Sequence, residues 1–289
     1  MTSPRIGLFG LTGFGNAVLR AICRNGHKPE FIVTRRETAP FPYYQENDLP
    51  AEAAGLGVRC LFGSEGETHA INEQPDIILV ATYHRILSQS VREAADIALN
   101  FHPSLLPRYR GPNPFFWVLR NGEVRTGLTV HGLVAAIDAG EIFWQRSLEI
   151  DQNETQGSLR GRLANLAGIA ALETISLFKA GELKSTPQVA SEISYFGKPS
   201  DMNRTLDTTM GMAETLRVVR ATLPYPGAIL GNRLLKGILG CWTGPHAAKE
   251  LDVEDSDDKC LLRLRDGAIL FSASPAAHLD HPSGTCERV

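Results

Sequence analysis

The stretch 76-DIILVA-81 decides the fold. After Asp76 it is apolar at every position, and a strand without a polar alternate is one buried on both faces. Such strands belong to parallel sheets covered by helices, so strand and helix patterns should alternate on either side of it. They do. Arg5–Phe9, Glu30–Val33, Val58–Phe62, Ala98–Phe101 and Thr126–Gly132 carry strand patterns, while Asn16–Arg24 and Pro50–Gly57 carry helical ones. The expectation is an open α/β sheet of Rossmann-like type with right-handed crossovers. Helical spacing is clearest over Thr155–Ala180, with Gly181 placed as its C-cap. Beyond Glu182–Ser200, which reads as an irregular linker, a helix at Ala213–Ala221 runs into the prolines of LPYPGA. Short strands follow, with Asp266-Gly267 as a hairpin turn. The division expected is a catalytic domain at 1–185, then a linker and a small β-rich, OB-like domain at 186–289.

With 289 residues, 43% of them hydrophobic and 21% charged, the chain falls in the ordinary globular range. Its net charge of -3 advertises neither nucleic acid nor an anionic membrane. Five cysteines without CxxC spacing read as free thiols in a reducing compartment and offer no zinc site. The sequence shows no signal-peptide layout and no apolar run of bilayer length, so a cytoplasmic protein is expected.

Chemistry concentrates in 100-NFHPSLLPRYRGPNP-114. At a strand end residues i and i+2 project to one side, so the Asn100 amide and the His102 imidazole should point together. An amide donor beside an imidazole suits a carbonyl that becomes an oxyanion, although a lone histidine is more often structural. In 135-AAIDAGEI-142, Asp138 either caps its own turn or pairs with His102. The glycines Gly10, Gly13 and Gly15 follow a strand and precede a helix, where anions bind. They do not spell GxGxxG, and no acidic residue stands where a ribose ligand would be needed. A tight turn is the alternative, and a dinucleotide oxidoreductase is disfavoured.

The ordered pair N-x-H-P-S-L-L-P-x-x-R-G and D-A-G-x-I resembles the 10-formyltetrahydrofolate-dependent formyltransferase family. The run 83-YHRIL-87 is similar to that family's folate loop, with His84 where glycine is common. The run 224-PYPGA-228 resembles the start of its C-terminal barrel. The resemblance implies a catalytic trio of Asn100, His102 and Asp138, with His102 protonated by virtue of the carboxylate. It implies folate contacts at Tyr83, His84, Arg85, Ile86, Leu87, Ala136 and Asp138. Acceptor contacts are expected at Ser104, at Arg108 and Arg110 as partners of a phosphate, and at Gly10 of the anion-binding turn, with no metal needed. Ser104 reads equally well as a loop tie.

The acceptor is a separate question. Residues 186–289 hold eleven Lys/Arg against thirteen Asp/Glu, including 250-ELDVEDSDD-258. The loop 34-TRRETAPFPYYQENDLP-50 offers only Arg35 and Arg36. A tRNA ligand needs a positive surface, so this balance argues against tRNA and for a small amine. The segment 113–131 is similar to the amino-sugar branch, which points to a nucleotide-linked amino sugar. Methionyl-tRNA, an amino acid or a siderophore amine remain alternatives, and a homodimer stays open.

Overall fold

The structure is a computed structural model that describes residues 3–36, 48–244, 256 and 258–275. The chain forms two compact units, Met1–Lys198 and Pro199–Val289.

In the first unit the elements run β1 (Ile6–Gly10), α1 (Phe14–Arg24), β2 (Phe31–Thr34), α2 (Leu49–Gly55), β3 (Arg59–Phe62), α3 (Gly63–Glu73), β4 (Ile77–Ala81) and α4 (Gln89–Arg92). There follow β5 (Ile97–His102), α5 (Pro114–Arg120), β6 (Arg125–Gly132), β7 (Ile142–Glu149) and α6 (Gln156–Ala180). One seven-stranded sheet results, ordered β3-β2-β1-β4-β5-β6-β7. The first five strands are parallel, β6 pairs antiparallel with β5, and β7 pairs antiparallel with β6. Every residue of β1 and of β4 is buried, as an apolar strand at the centre of a two-sided sheet must be. The chain order reverses between β1 and β4, and the crevice beyond the carboxyl ends of strands near such a reversal is where open sheets bind ligands.

The six expected strands all form, shifted by a residue or so at their ends. Among the elements of this unit that escape the sequence reading are β7 and α3. β7 is an edge strand with mostly half-buried or exposed residues, so it lacks the apolar run that marks the others. α3 carries few apolar residues and buries only Gly66 and Ala70. α6 is long and apolar enough, by length and composition, to cross a membrane, which differs from the expectation that no such segment exists. Its Leu159, Leu163, Ala167, Ala170 and Ile175 are fully buried, and it packs on α1 and β6, as the core helix of this unit.

The irregular segment after α6, expected as a linker, belongs to the first unit as far as Lys198. Backbone pairing explains this. Thr186 and Ile142 exchange two hydrogen bonds of 2.8 Å, and Arg110 bonds Ser194 O while Phe196 bonds Arg110 O, each at 2.9 Å.

The second unit contains α7 (Met212–Thr222), β8 (Ala228–Leu230), β9 (Arg233–Thr243), β10 (Lys259–Leu264) and β11 (Gly267–Pro275). The four strands form an antiparallel sheet ordered β10-β11-β9-β8. Its core joins Val218 and Val219 of α7 to Leu235, Leu262, Ile269 and Phe271. Leu264 pairs with Gly267, so the hairpin loop is Arg265-Asp266, one residue earlier than the sequence indicated. Asp266 does more than turn the chain. Gly211 precedes α7 without a capping side chain, and the Asp266 carboxylate accepts the Met212 N–H at 3.0 and 3.2 Å. Asp266→Ala should therefore cost about 1 kcal/mol, read as a lower denaturation midpoint of this unit. An unchanged midpoint would remove the carboxylate as a cap.

Candidate active site

β5 delivers Asn100 and His102 at its carboxyl end, and its antiparallel partner completes the site. The register sets His131 of β6 opposite Asn100, and Thr129 opposite His102. Asn100 Nδ2 lies 3.0 Å from His131 Nε2. His131 Nδ1 lies 2.9 Å from the Gly132 carbonyl, and a carbonyl only accepts, so the His131 proton sits on Nδ1. Nε2 therefore accepts one N–H of Asn100. An amide carries two N–H donors, and among the described residues only this one is bonded.

The same logic fixes His102. Its Nε2 lies 2.8 Å from the Tyr109 carbonyl and must donate to it. Nδ1 then faces Asp138 Oδ1 at 3.5 Å, and His131 Nε2 stands 3.5 Å from the same oxygen. The other carboxylate oxygen accepts the Gly111 N–H at 2.8 Å. Asp138 holds φ 52°, a left-handed conformation that aspartate tolerates better than most residues. One carboxylate oxygen and two ring nitrogens thus converge, each imidazole being tied at its far side to a backbone carbonyl.

Electrostatics departs from the sequence reading, in which the carboxylate kept His102 charged. Burial, the largest influence, pushes the His102 ring below its ordinary value, and the Asp138 charge only partly opposes it. His102 is therefore neutral at neutral pH. Burial pushes the Asp138 carboxyl up, but its surroundings, the donating Gly111 N–H among them, outweigh this and hold it below its ordinary value. The resting pair is an ionised carboxylate beside a neutral imidazole, which can take up a proton.

The other sequence-predicted residues divide into groups. Ser104 is fully buried, and its hydroxyl donates to the Arg108 carbonyl at 2.8 Å, which ties the loop. Arg108 pairs with Glu123, and Arg110 donates to the Gln188 side chain at 3.1 and 2.6 Å, so both guanidinium groups are engaged within the chain. Gly10 is buried; a Cβ there would lie 3.0 Å from Gly15 Cα and 3.2 Å from Ala81 O, so it serves the close approach of β1 and α1. The Gly13 N–H is bonded by Asn16 Oδ1 at 2.9 Å, which supports the reading of this turn as a structural one.

In the 83–87 run, Tyr83 and Leu87 turn inward to the cluster of Phe9, Val80 and Ala98, which Leu133 also joins. Arg85 pairs with Glu67 at 3.2 Å. Tyr83 and His84 meet edge to face at 4.6 Å, and Ile86 is 76% exposed. Ala136 lies exposed in the turn before Asp138, where its carbonyl accepts the Ala139 N–H at 3.3 Å. Among the described residues no group of three or more His, Cys, Asp or Glu is arranged to hold a metal. Sequence reasoning missed His131. The TGLTVH pattern gives the strand and its buried side, but not the register that sets His131 against Asn100.

The profile of the formyl transferase family matches residues 20–175, a span that holds the whole cluster. The chain belongs to that family. Two relatives, both methionyl-tRNA formyltransferases, extend the likeness along the chain. That of Lactobacillus johnsonii is 30% identical over 237 residues, 78% of this chain and 76% of its own length. That of Nitratidesulfovibrio vulgaris (strain Hildenborough) is 37% identical over 230 residues, 78% of this chain and 70% of its own. The N-formyltransferase of Helicobacter canadensis, solved with folinic acid and dTDP-3-aminofucose, matches with a TM-score of 0.72 at 17% identity, over 93% of this chain and 98% of its own. WlaRD, a sugar 3N-formyl transferase, matches at 0.70 and 18% identity, over 96% and 100%. These two similarities show the fold alone.

The histidine assignment has a direct check. In an NMR titration the His102 ring should take its proton below the ordinary imidazole value of about 6.5, because burial favours the neutral form. Asp138→Asn removes the larger of the two influences that raise the pKa, the other being the Tyr109 carbonyl, so the midpoint should move lower still. A midpoint above the ordinary value in the parent protein would overturn the neutral resting state.

Proposed function

We propose that this formyltransferase moves the formyl group of 10-formyltetrahydrofolate to a primary amine of a small acceptor, with nucleotide-linked amino sugars the leading class. The observation that carries the chemistry is the Asn100–His131–Asp138–His102 cluster at the carboxyl end of β5. The folate donor fits the apolar surface nearby. Tyr83 and Leu133 lie against one core cluster, and exposed Ile86, Val134 and Ile137 extend from the same two loops, a surface suited to a flat ring.

The amine nitrogen forms a bond to the formyl carbon while the carbonyl electrons move onto oxygen. The second N–H of Asn100 meets that oxyanion, held in direction by His131. The proton released by the amine passes into the His102–Asp138 pair, where the new imidazolium lies beside the carboxylate. Collapse breaks the bond to folate N10, which takes the proton back. The neutral resting state of His102 suits this sequence, because a ring already protonated could not accept the amine's proton.

Charge balance supports a small acceptor. Acidic residues outnumber basic ones over 186–289, whereas binding a polyanion draws on cationic contacts. Part of the loop used in that argument, residues 37–47, lies outside the described residues. The sugar reading rests on the resemblance of segment 113–131 and not on Arg108 and Arg110, whose partners are within the chain. Methionyl-tRNA is the second reading, favoured by the relatives at 30% and 37% identity.

Two experiments test this. Purified protein with 10-formyltetrahydrofolate is offered nucleotide-linked amino sugars, free amino acids and Met-tRNA, and release of tetrahydrofolate is followed. Turnover on a small amine, with shallow salt dependence, is expected; turnover on Met-tRNA alone would select the second reading. With the acceptor in hand, Asn100→Ala should lower kcat by about a hundredfold or more, as loss of an oxyanion donor does. His102→Ala and Asp138→Ala should do likewise, with losses that do not add. Near-parental turnover in Asp138→Ala would leave that residue as a loop cap.

A further inference from the structure

Gln188 lies beyond the family-matched span, 50 residues after Asp138, on the segment that follows α6. Its side-chain amide makes four hydrogen bonds. Oε1 accepts from Arg110 Nε at 3.1 Å and from Arg110 Nη2 at 2.6 Å. Nε2 donates to the Asp138 carbonyl at 2.8 Å and to the Gly140 carbonyl at 2.7 Å. A primary amide has two acceptor sites and two donors, so this one is saturated.

The four partners define its effect. The two carbonyls belong to the turn that holds Asp138 at φ 52°. Arg110 belongs to the loop whose Gly111 N–H grips the Asp138 carboxylate. The segment bearing Gln188 is itself anchored on both sides, by Thr186 on Ile142 of β7 and by Ser194 on Arg110. Gln188 thus joins the backbone of the carboxylate turn to the loop that follows His102.

We propose that Gln188 is a positioning residue for formyl transfer. It touches neither acceptor nor folate and acts through Asp138, holding the carboxylate at its distance from His102 Nδ1. The inference rests on the formyl-transfer reading of the cluster. Few side chains could replace it. Glutamate would pair with Arg110 but present only acceptors to the Asp138 and Gly140 carbonyls, and methionine keeps the length but makes none of the four bonds.

The test uses the full chain with Gln188→Met and Gln188→Glu. Displacing a catalytic group by about an ångström can cost about a hundredfold, so kcat should fall by at least about tenfold in both variants. KM for folate and acceptor should stay within about twofold. Gln188→Glu, which keeps its hold on Arg110, should be no better than Gln188→Met. A second measurement needs no acceptor: the 15N shift of His102 Nδ1 should change in Gln188→Met, because the facing carboxylate has moved. An unchanged shift would overturn the inference even if no acceptor had been found. Parental kcat in Gln188→Glu would overturn it too, leaving the formyl-transfer reading intact. Failure of both variants to fold would make Gln188 a folding residue and equally overturn it. Absence of turnover by the parent protein on every acceptor would instead count against the proposed function alone.

Discussion

The hydrogen bond from the Gly111 N–H to Asp138 Oδ2, 2.8 Å long, is the constraint on which the site depends. It joins the loop after β5 to the turn after β6, the two segments that carry the candidate site. Gly111 can be nothing larger. Its φ is +100°, and a Cβ there would lie 2.3 Å from the Phe196 carbonyl. The glycine that permits the bond therefore also admits the 186–198 segment against the loop. With one carboxylate oxygen fixed in this way, the other is left facing two imidazole nitrogens.

Burial then decides which of these groups carries charge. Removing His102 from water disfavours its protonated form more than one carboxylate at 3.5 Å can restore it. Asp138 is buried less completely, and the Gly111 N–H that donates to it favours its ionised form. That polarity suits the proposed uptake of a proton from an attacking amine. A histidine already charged by the carboxylate would have lost that capacity.

The loop from Pro103 to Asn113 shows how local strain is sustained by its surroundings. Tyr109 and Asn113 both hold positive φ, at a cost that persists only where neighbours fix the chain. Here Ser104 Oγ donates to Arg108 O, Thr129 Oγ1 donates to Ser104 O, and Phe196 stacks on Tyr109 with ring centroids 4.9 Å apart. That arrangement turns the Tyr109 carbonyl onto His102 and so sets the tautomer of the ring.

The central strands, the long α6 and the β-rich second unit were legible in the sequence, because each has a local signature: an unbroken apolar run, a helical period, or a turn of glycine and aspartate. α3 and β7 were not, since an exposed element buries too little to print a pattern. Nor were His131 and Gln188, or the engagement of Ser104, Arg108 and Arg110 within the chain. Those depend on strand register and on contacts between residues far apart in sequence, such as Asn100 with His131 or Asp138 with Gln188. The neutral state of His102 depends on how deeply it is buried. The sequence by itself determined which groups are available and which strand and loops carry them. Only the tertiary structure decided which nitrogen faces which oxygen and which group bears the proton, because register and desolvation arise only when the chain has packed.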